Sequence, residues 1–288
     1  MFKSVITGFV VSLLLIGCDV IERPFTENPV DPGPDTGEYV KQNILLEDYT
    51  GHTCGNCPEA AEIAEQIAES YGKDRVIVVA VHAGGFADPQ PPTYAADYRT
   101  SEGTTFDNTF RISRAGNPNG LVNRLPRNGR IIIGKDQWST VIRELIDDTA
   151  AVKLEVQPSY DSSTRTITAQ VDITYMQYGT AEYQLVGALV ENNIVGDQMD
   201  YRKNPSHVED YVFQHVLRAH MNGTWGEPVS SMAHAKGWKT TKTLSYTIPA
   251  DKTWDPANMD LVAYVHRHNT TGTGTREVLQ VVKAAVTK

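Results

Sequence analysis

Apolar and polar positions alternate along this chain with a period that changes from one segment to the next. An unbroken apolar run covers residues 5–16, and residues 19–38 after it have no period at all. From residue 43 the pattern is that of strands and helices in turn. Apolar runs at 43–48 and 75–82 predict strands. Between them, residues 58–71 place Ile63, Ile67 and Tyr71 on one face with Ala64 and Ala68, leaving Glu62, Glu65, Gln66 and Glu69 largely off it. That spacing predicts a helix, with Gly72 as its stop. After a long connection come short strands at 121–124 and 130–134. A last helix over about 137–148 follows, its apolar face made by Trp138, Val141, Ile142, Leu145 and Ile146. Strands alternating with helices predict an α/β layer fold, and both apolar stripes are core.

Beyond Ala151 the period drops to two, with turn signals between runs. Strands are predicted at 152–160, 166–175, 183–192, 239–248, 261–266 and 278–286. Strands without convincing helices predict a β-sandwich of immunoglobulin type. Residues 196–237 interrupt it, and within them 211–219, where Tyr, Val and Phe cluster, lean to strand. The change of pattern places a boundary near residue 150, with a separate core on either side.

Composition alters this picture mainly at the start of the chain. Lys3 followed by the 5–16 run has the layout of a secretory signal, and the run is too short to span a bilayer, which takes ~20 apolar residues. The run stops at Gly17-Cys18, a small residue before a cysteine that resembles a bacterial lipobox. Cys18 is therefore the predicted lipid attachment point, anchored by acyl chains at ~0.8 kcal/mol per buried CH₂. Residues 19–38 carry Pro24, Pro29, Pro32 and Pro34 among acidic and small residues and are expected to form a flexible tether. A net charge of −9 argues against nucleic acid or an anionic surface as partner.

Three cysteines are present, so assigning Cys18 to lipid leaves Cys54 and Cys57 as a pair in a compartment where disulfides persist. Their Cys54-Gly55-Asn56-Cys57 spacing falls between a predicted strand and a predicted helix. At a helix start, unpaired N–H groups and the helix dipole favour a thiolate, which makes Cys54 the candidate nucleophile and Cys57 the resolving cysteine. The same spacing also serves zinc sites and inert disulfides.

This context resembles the thioredoxins. Asp48 stands six residues before Cys54, where thioredoxins place a buried carboxylate, and Gly116-Asn117-Pro118 before the strand at 121–124 is similar to their cis-proline segment. The resemblance implies that Asp48 accepts the proton of Cys57 and that Pro118 lies against the cysteines. The chain departs from thioredoxins in having His52-Thr53 before the pair and Gly55-Asn56 within it. His52, if charged, would lower the Cys54 pKa.

A broader resemblance covers most of the chain. Residues 47–58 (EDYTGHTCGNCP), 120–124 (GLVNR) and 215–218 (HVLR) are similar to Bacteroidetes lipoproteins called the outer membrane protein twenty-eight family. That resemblance implies a thioredoxin-like domain followed by an all-β immunoglobulin-like sandwich in the cell envelope. The expected division is then a lipoprotein signal peptide at 1–17, a lipidated N-terminus and tether at 18–38, a thioredoxin-like domain at 39–149 and an immunoglobulin-like domain at 150–288.

Three functions remain open on the sequence. The first is thiol–disulfide exchange with envelope or surface proteins, the membrane being reached only through the lipid. The second is a binding or scaffold protein in which Cys54–Cys57 is an inert staple. Exposure separates these two: a catalytic Cys54 stands open, whereas a staple is covered by the connection at 84–113. The third is a metal carrier using the cysteines with His52 or His82, or a second site at His266 and His268. No phosphate-binding glycine loop or Ser-His-Asp arrangement is legible, and no cofactor is expected.

Overall fold

A run apolar on both faces must be covered on both, which suits a parallel strand between two layers. Residues 44–50 are such a run, interrupted only by Glu47 and Asp48, and in the computed structural model they form β1 (Ile44–Thr50), buried along its whole length. Residues 39–268 and 276–287 are described here; Cys18 and the predicted signal and tether lie outside them. After β1 come α1 (Cys57–Tyr71), β2 (Val76–His82), α2 (Ser101–Phe110), α3 (Ile112–Ala115), β3 (Asn119–Val122), β4 (Ile133–Gly134) and α4 (Trp138–Leu145). Strands then dominate: β5 (Val152–Asp161), β6 (Thr166–Tyr175), β7 (Tyr183–Glu191), β8 (Ile194–Met199), β9 (His207–Phe213) and β10 (Val216–His220). The last are β11 (Glu227–Pro228), β12 (Lys239–Thr247), β13 (Met259–Arg267) and β14 (Val278–Ala285).

β1 pairs parallel with β2, from Ile44 opposite Val76 to Thr50 opposite His82, and antiparallel with β3. Because side chains alternate along a strand, Ile44, Leu46 and Asp48 face one way and Leu45, Glu47 and Tyr49 the other. The first face packs on α1 and α4 through Ala60, Ala64, Ile67, Trp138, Ile142 and Leu145.

The second face carries a correction to the sequence analysis, since separate cores on either side of residue 150 are not what the structure shows. Leu45, Tyr49, Ile77 and Val79 lie in one buried cluster with Val186, Leu217, Val262, Tyr264 and Val281. The reason is β10. Its Val216 pairs parallel with Ala80 of β2, its other edge pairs antiparallel with β7, and the Ala80 N–H donates to His215 O at 2.9 Å. The result is a nine-stranded mixed sheet in the order β14-β13-β7-β10-β2-β1-β3-β4, with β11 on β7. It curls, for Asn43 N–H reaches Gln280 Oε1 at 2.8 Å and Val278 N–H reaches Asn123 O at 2.9 Å.

A three-stranded sheet, β12-β6-β5, covers the β7–β13 region through Val152, Leu154, Val171, Ile173 and Leu244. The molecule is thus mostly β, with helices gathered on the N-terminal part of a mixed sheet. Elsewhere the expected segments shift modestly. The 130–134 strand shrinks to β4, and α2 appears in the connection, capped by the Thr100 side chain accepting from Gly103 N–H at 2.9 Å. The 211–219 segment is strand at both ends but breaks at Gln214–His215, where His215 takes a left-handed conformation (φ 58°). That break lets the chain leave the small β8–β9 sheet and enter the large one. No helix among the described residues is long and apolar enough to cross a membrane.

Candidate functional site

β1 ends at Thr50 and the next residues must turn at once into α1. Gly51 permits this, because a Cβ there would lie 2.3 Å from the Phe86 carbonyl carbon and oxygen. Thr53 then holds the loop to the segment after β2, its N–H and its hydroxyl donating to Phe86 O at 3.1 and 2.9 Å. Cys54 N–H donates to Gly51 O, Cys57 N–H donates to Cys54 O, and α1 starts at Cys57 with Pro58 in its first turn, where a missing N–H costs nothing. This turn brings the Cα atoms of Cys54 and Cys57 to 5.4 Å, and the two sulfurs form a disulfide.

The disulfide is closed off from solvent, each cysteine being only 2% exposed. The open Cys54 expected of a catalytic pair is therefore absent. On one side the connection after β2 holds Gly51 and Thr53 through the Phe86 backbone. The other side is covered by the β8–β9 hairpin, which sequence reasoning left without a role. Met199 N–H donates to His52 O at 2.8 Å, Tyr201 N–H to Gly55 O at 2.9 Å, and the Gln198 carboxamide to Cys54 O at 3.1 Å. The Tyr201 ring lies so close to Gly55 that a Cβ there would be 2.4 Å from it. Arg202 ties the hairpin tip to α1, donating to both Glu62 oxygens at 2.7 and 2.8 Å, and its partner within the tip is Asp200. None of these residues carries a motif. The only sequence signal was that residues 196–237 broke the strand alternation.

Beneath the cysteines lies Asp48, 2% exposed, with its Oδ1 buried and without a hydrogen-bond partner among the described residues. Burial pushes its pKa up to about 7. It shares a cavity of about 30 Å³ with Cys57, Ala61, His82, Gln198 and Tyr211. A water molecule needs ~10–15 Å³, so the space is enough to connect the carboxyl to the Cys57 side by one. A larger cavity of about 270 Å³ has Asp48, Ala61 and Tyr211 among its walls and extends to Glu62, Glu65 and His215. Pro118 follows a cis Asn117–Pro118 peptide and directly precedes Asn119, which pairs with Tyr49; it therefore stands at the end of β1 where the cysteine loop begins.

The histidines are placed differently from expectation. His52 is buried among the rings of Tyr94 and Tyr98, and burial lowers its pKa, so it is not a charged neighbour for Cys54. His82, against Tyr98 and Phe213, is pushed down to about 3 by burial. The His82 imidazole has no hydrogen-bond partner among the described residues. His266 is also buried, its Nε2 on Trp225 O at 2.9 Å, while His268 Nδ1 meets Arg276 at 2.6 Å. Among the described residues no three His, Cys, Asp or Glu side chains come together as a metal site.

Sequence reasoning also passed over Arg124. It is 0% exposed, donates through Nε and Nη2 to the two Glu47 oxygens at 2.8 and 2.7 Å, and lies over the rings of Phe106 and Tyr264 at 4.7 and 5.3 Å. The 120–124 and 215–218 segments that carry the family resemblance thus build the junction of the sheet.

Residues 104–288 match the family described as Outer membrane protein Omp28. No curated protein matches the chain. Among solved structures, HBP35 of Porphyromonas gingivalis is similar with a TM-score of 0.62 at 18% identity, over 85% of this chain and 76% of that one. A domain of the outer membrane lipoprotein Omp28 from the same organism is 19% identical, over 48% of this chain and 89% of that one, with a TM-score of 0.32.

Proposed function

The chain belongs to the Omp28 family of outer membrane proteins, and from that location in the cell envelope we propose that it exchanges thiols and disulfides with other envelope or surface proteins. The observation that carries this reading is Asp48. A buried carboxyl without a partner costs free energy, of order 1–3 kcal/mol or more. Placed in one small cavity with Cys57, it is a proton donor and acceptor for that sulfur. The order β1, cysteine turn, α1, β2, cis-proline, β3, β4, α4 supports reading the N-terminal part as thioredoxin-like, with an immunoglobulin-like part fused to it through the shared sheet.

Exchange runs through a mixed disulfide. The Cys54 thiolate attacks a partner disulfide, the partner's second sulfur leaves with the electron pair, and Cys57, deprotonated by Asp48, attacks Cys54 to release the partner as a dithiol. The pair Cys54–Cys57 is then oxidised and the partner reduced by two electrons. Replacing Cys57 with Ala should trap the partner on Cys54, recovered as a disulfide-linked complex from cells, while Cys54→Ala should trap almost nothing. If neither variant traps a protein, the closed geometry favours the second reading, an inert staple in a binding protein.

The lipid anchor at Cys18 belongs to the same proposal. Cys18→Ala should move the protein from the membrane to the supernatant fraction, and retention after a high-salt wash would count against that attachment point.

A further inference from the structure

The hairpin over the cysteines does more than cover them. Its contacts with the loop are of a kind that an extended polypeptide makes: two backbone N–H groups two residues apart, Met199 and Tyr201, donate to two loop carbonyls, His52 O and Gly55 O. Between them the loop presents a third carbonyl, Cys54 O, which takes the Gln198 carboxamide. Backbone bonds of this sort bind a strand with little regard to its sequence, and side-chain pockets add the selectivity.

We propose that residues 198–201 occupy the site of the substrate polypeptide, and that the β8–β9 hairpin is a lid that lifts from the cysteines before exchange. The partner class is an extended segment flanking a disulfide or thiol, donating alternate N–H groups to His52 O and Gly55 O. The purpose of the lid rests on the exchange reading above, but its mechanics do not.

The way the hairpin is held decides which end lifts. At its base, Phe213 packs with Tyr98 and Val216, and Ile194 lies against the same cluster. At its tip, outside that cluster, the ties are mostly polar: the Arg202–Glu62 pair, half open to water, and the two backbone bonds, with Tyr201, 62% exposed as a residue, laying its ring on Gly55. Segments with few buried apolar contacts open at the lowest free-energy cost, so the tip swings while the base stays docked. Once it has swung away, an incoming thiolate reaches Cys54 Sγ. A new S–S bond forms there, the Cys54–Cys57 bond breaks, and Cys57 leaves with the electron pair and takes the Asp48 proton.

The test is the rate at which dithiothreitol, supplying two electrons and two protons per disulfide, reduces the oxidised full-length protein, followed by alkylation and mass measurement. Arg202→Ala should reduce about twofold to fivefold faster than the wild type, the range set by loss of one exposed ion pair. Glu62→Gln breaks the same pair from α1 and should match it. Gly55→Ala forces a methyl into the Tyr201 ring and should accelerate reduction more strongly, while Gly55→Ala combined with Tyr201→Ala should leave the lid equally open. Hydrogen exchange at Met199 and Tyr201 should quicken by the same factors with the melting profile of the rest of the protein kept. Equal reduction rates for the wild type and all four variants overturn the lid. Variants that reduce faster yet trap no partner when combined with Cys57→Ala would keep the lid and remove the oxidoreductase reading.

Discussion

Glu47 and Asp48 are neighbours on β1, equally buried, and they face opposite sides of it. On the Glu47 side both oxygens are met by Arg124, the guanidinium lies among Phe106, Phe110, Trp225 and Tyr264, and its Nη2 also approaches the Tyr264 hydroxyl at 3.2 Å. On the Asp48 side there is a cavity, a sulfur and an unpaired oxygen. The contrast shows how to tell a charge that belongs to the architecture from one available for chemistry. The first has both oxygens paired to a guanidinium and joins elements distant in sequence; the second has a buried oxygen without a partner, and burial pushes its pKa up to about 7.

The largest effect is expected at Arg124. Arg124→Ala should cost about 3–5 kcal/mol, because it strands the Glu47 carboxylate in an apolar core. Denaturant unfolding measures this, and a loss below about 1 kcal/mol would mean that water reaches Glu47 in the folded protein.

Asp48 gives a smaller effect with a pH signature. Its folded pKa of about 7 lies above the ordinary value of 3.8. Between those values the folded protein keeps a proton that the unfolded chain has lost, so the stability present below about pH 4 falls as pH rises towards about 7. Asp48→Asn stays neutral throughout. It should unfold like the wild type near pH 4 and be more stable by a few kcal/mol near pH 8, because each pH step between the two values contributes ~1.4 kcal/mol. Parallel stability curves for the two proteins would show that Asp48 is ionised in the fold.

The gentlest change acts on both members of the ion pair at once. Replacing the whole Glu47–Arg124 pair by Glu47→Leu with Arg124→Met removes both charges and keeps the volume, and stability should stay within about 1 kcal/mol of the wild type. Partner trapping by Cys57→Ala should be unaffected. A loss of trapping in that double variant would mean that the two sides of β1 are coupled.

How far the sequence could be followed depends on the range of the interactions involved. Periodicity marked β1, α1, β2, α4, β5 and β6 closely, since each buries a stripe set by its own local repeat. Cys54 and Cys57 stood out because their spacing between a strand and a helix is local too, whereas Asp48 and Pro118 came from the resemblance to thioredoxins. His52 and Arg124 were misjudged or passed over for the converse reason. In a sequence an isolated polar residue looks like surface, and only the rings packed around it make it core. Nor could the boundary at residue 150 show that β10 returns, more than a hundred residues after β2, to carry the sheet across it.

Local pattern was enough for the elements of the N-terminal part, the alternating strands that follow, and a cysteine pair at a strand-to-helix turn. Long-range packing settled that the two parts share one sheet, that Glu47 meets a guanidinium while Asp48 meets none, and that the cysteines lie shut beneath residues 198–201. Each of those outcomes depends on which distant segment arrives to cover a given surface, and burial, which sets both the pKa of a carboxyl and the access to a sulfur, is a property of that arrival.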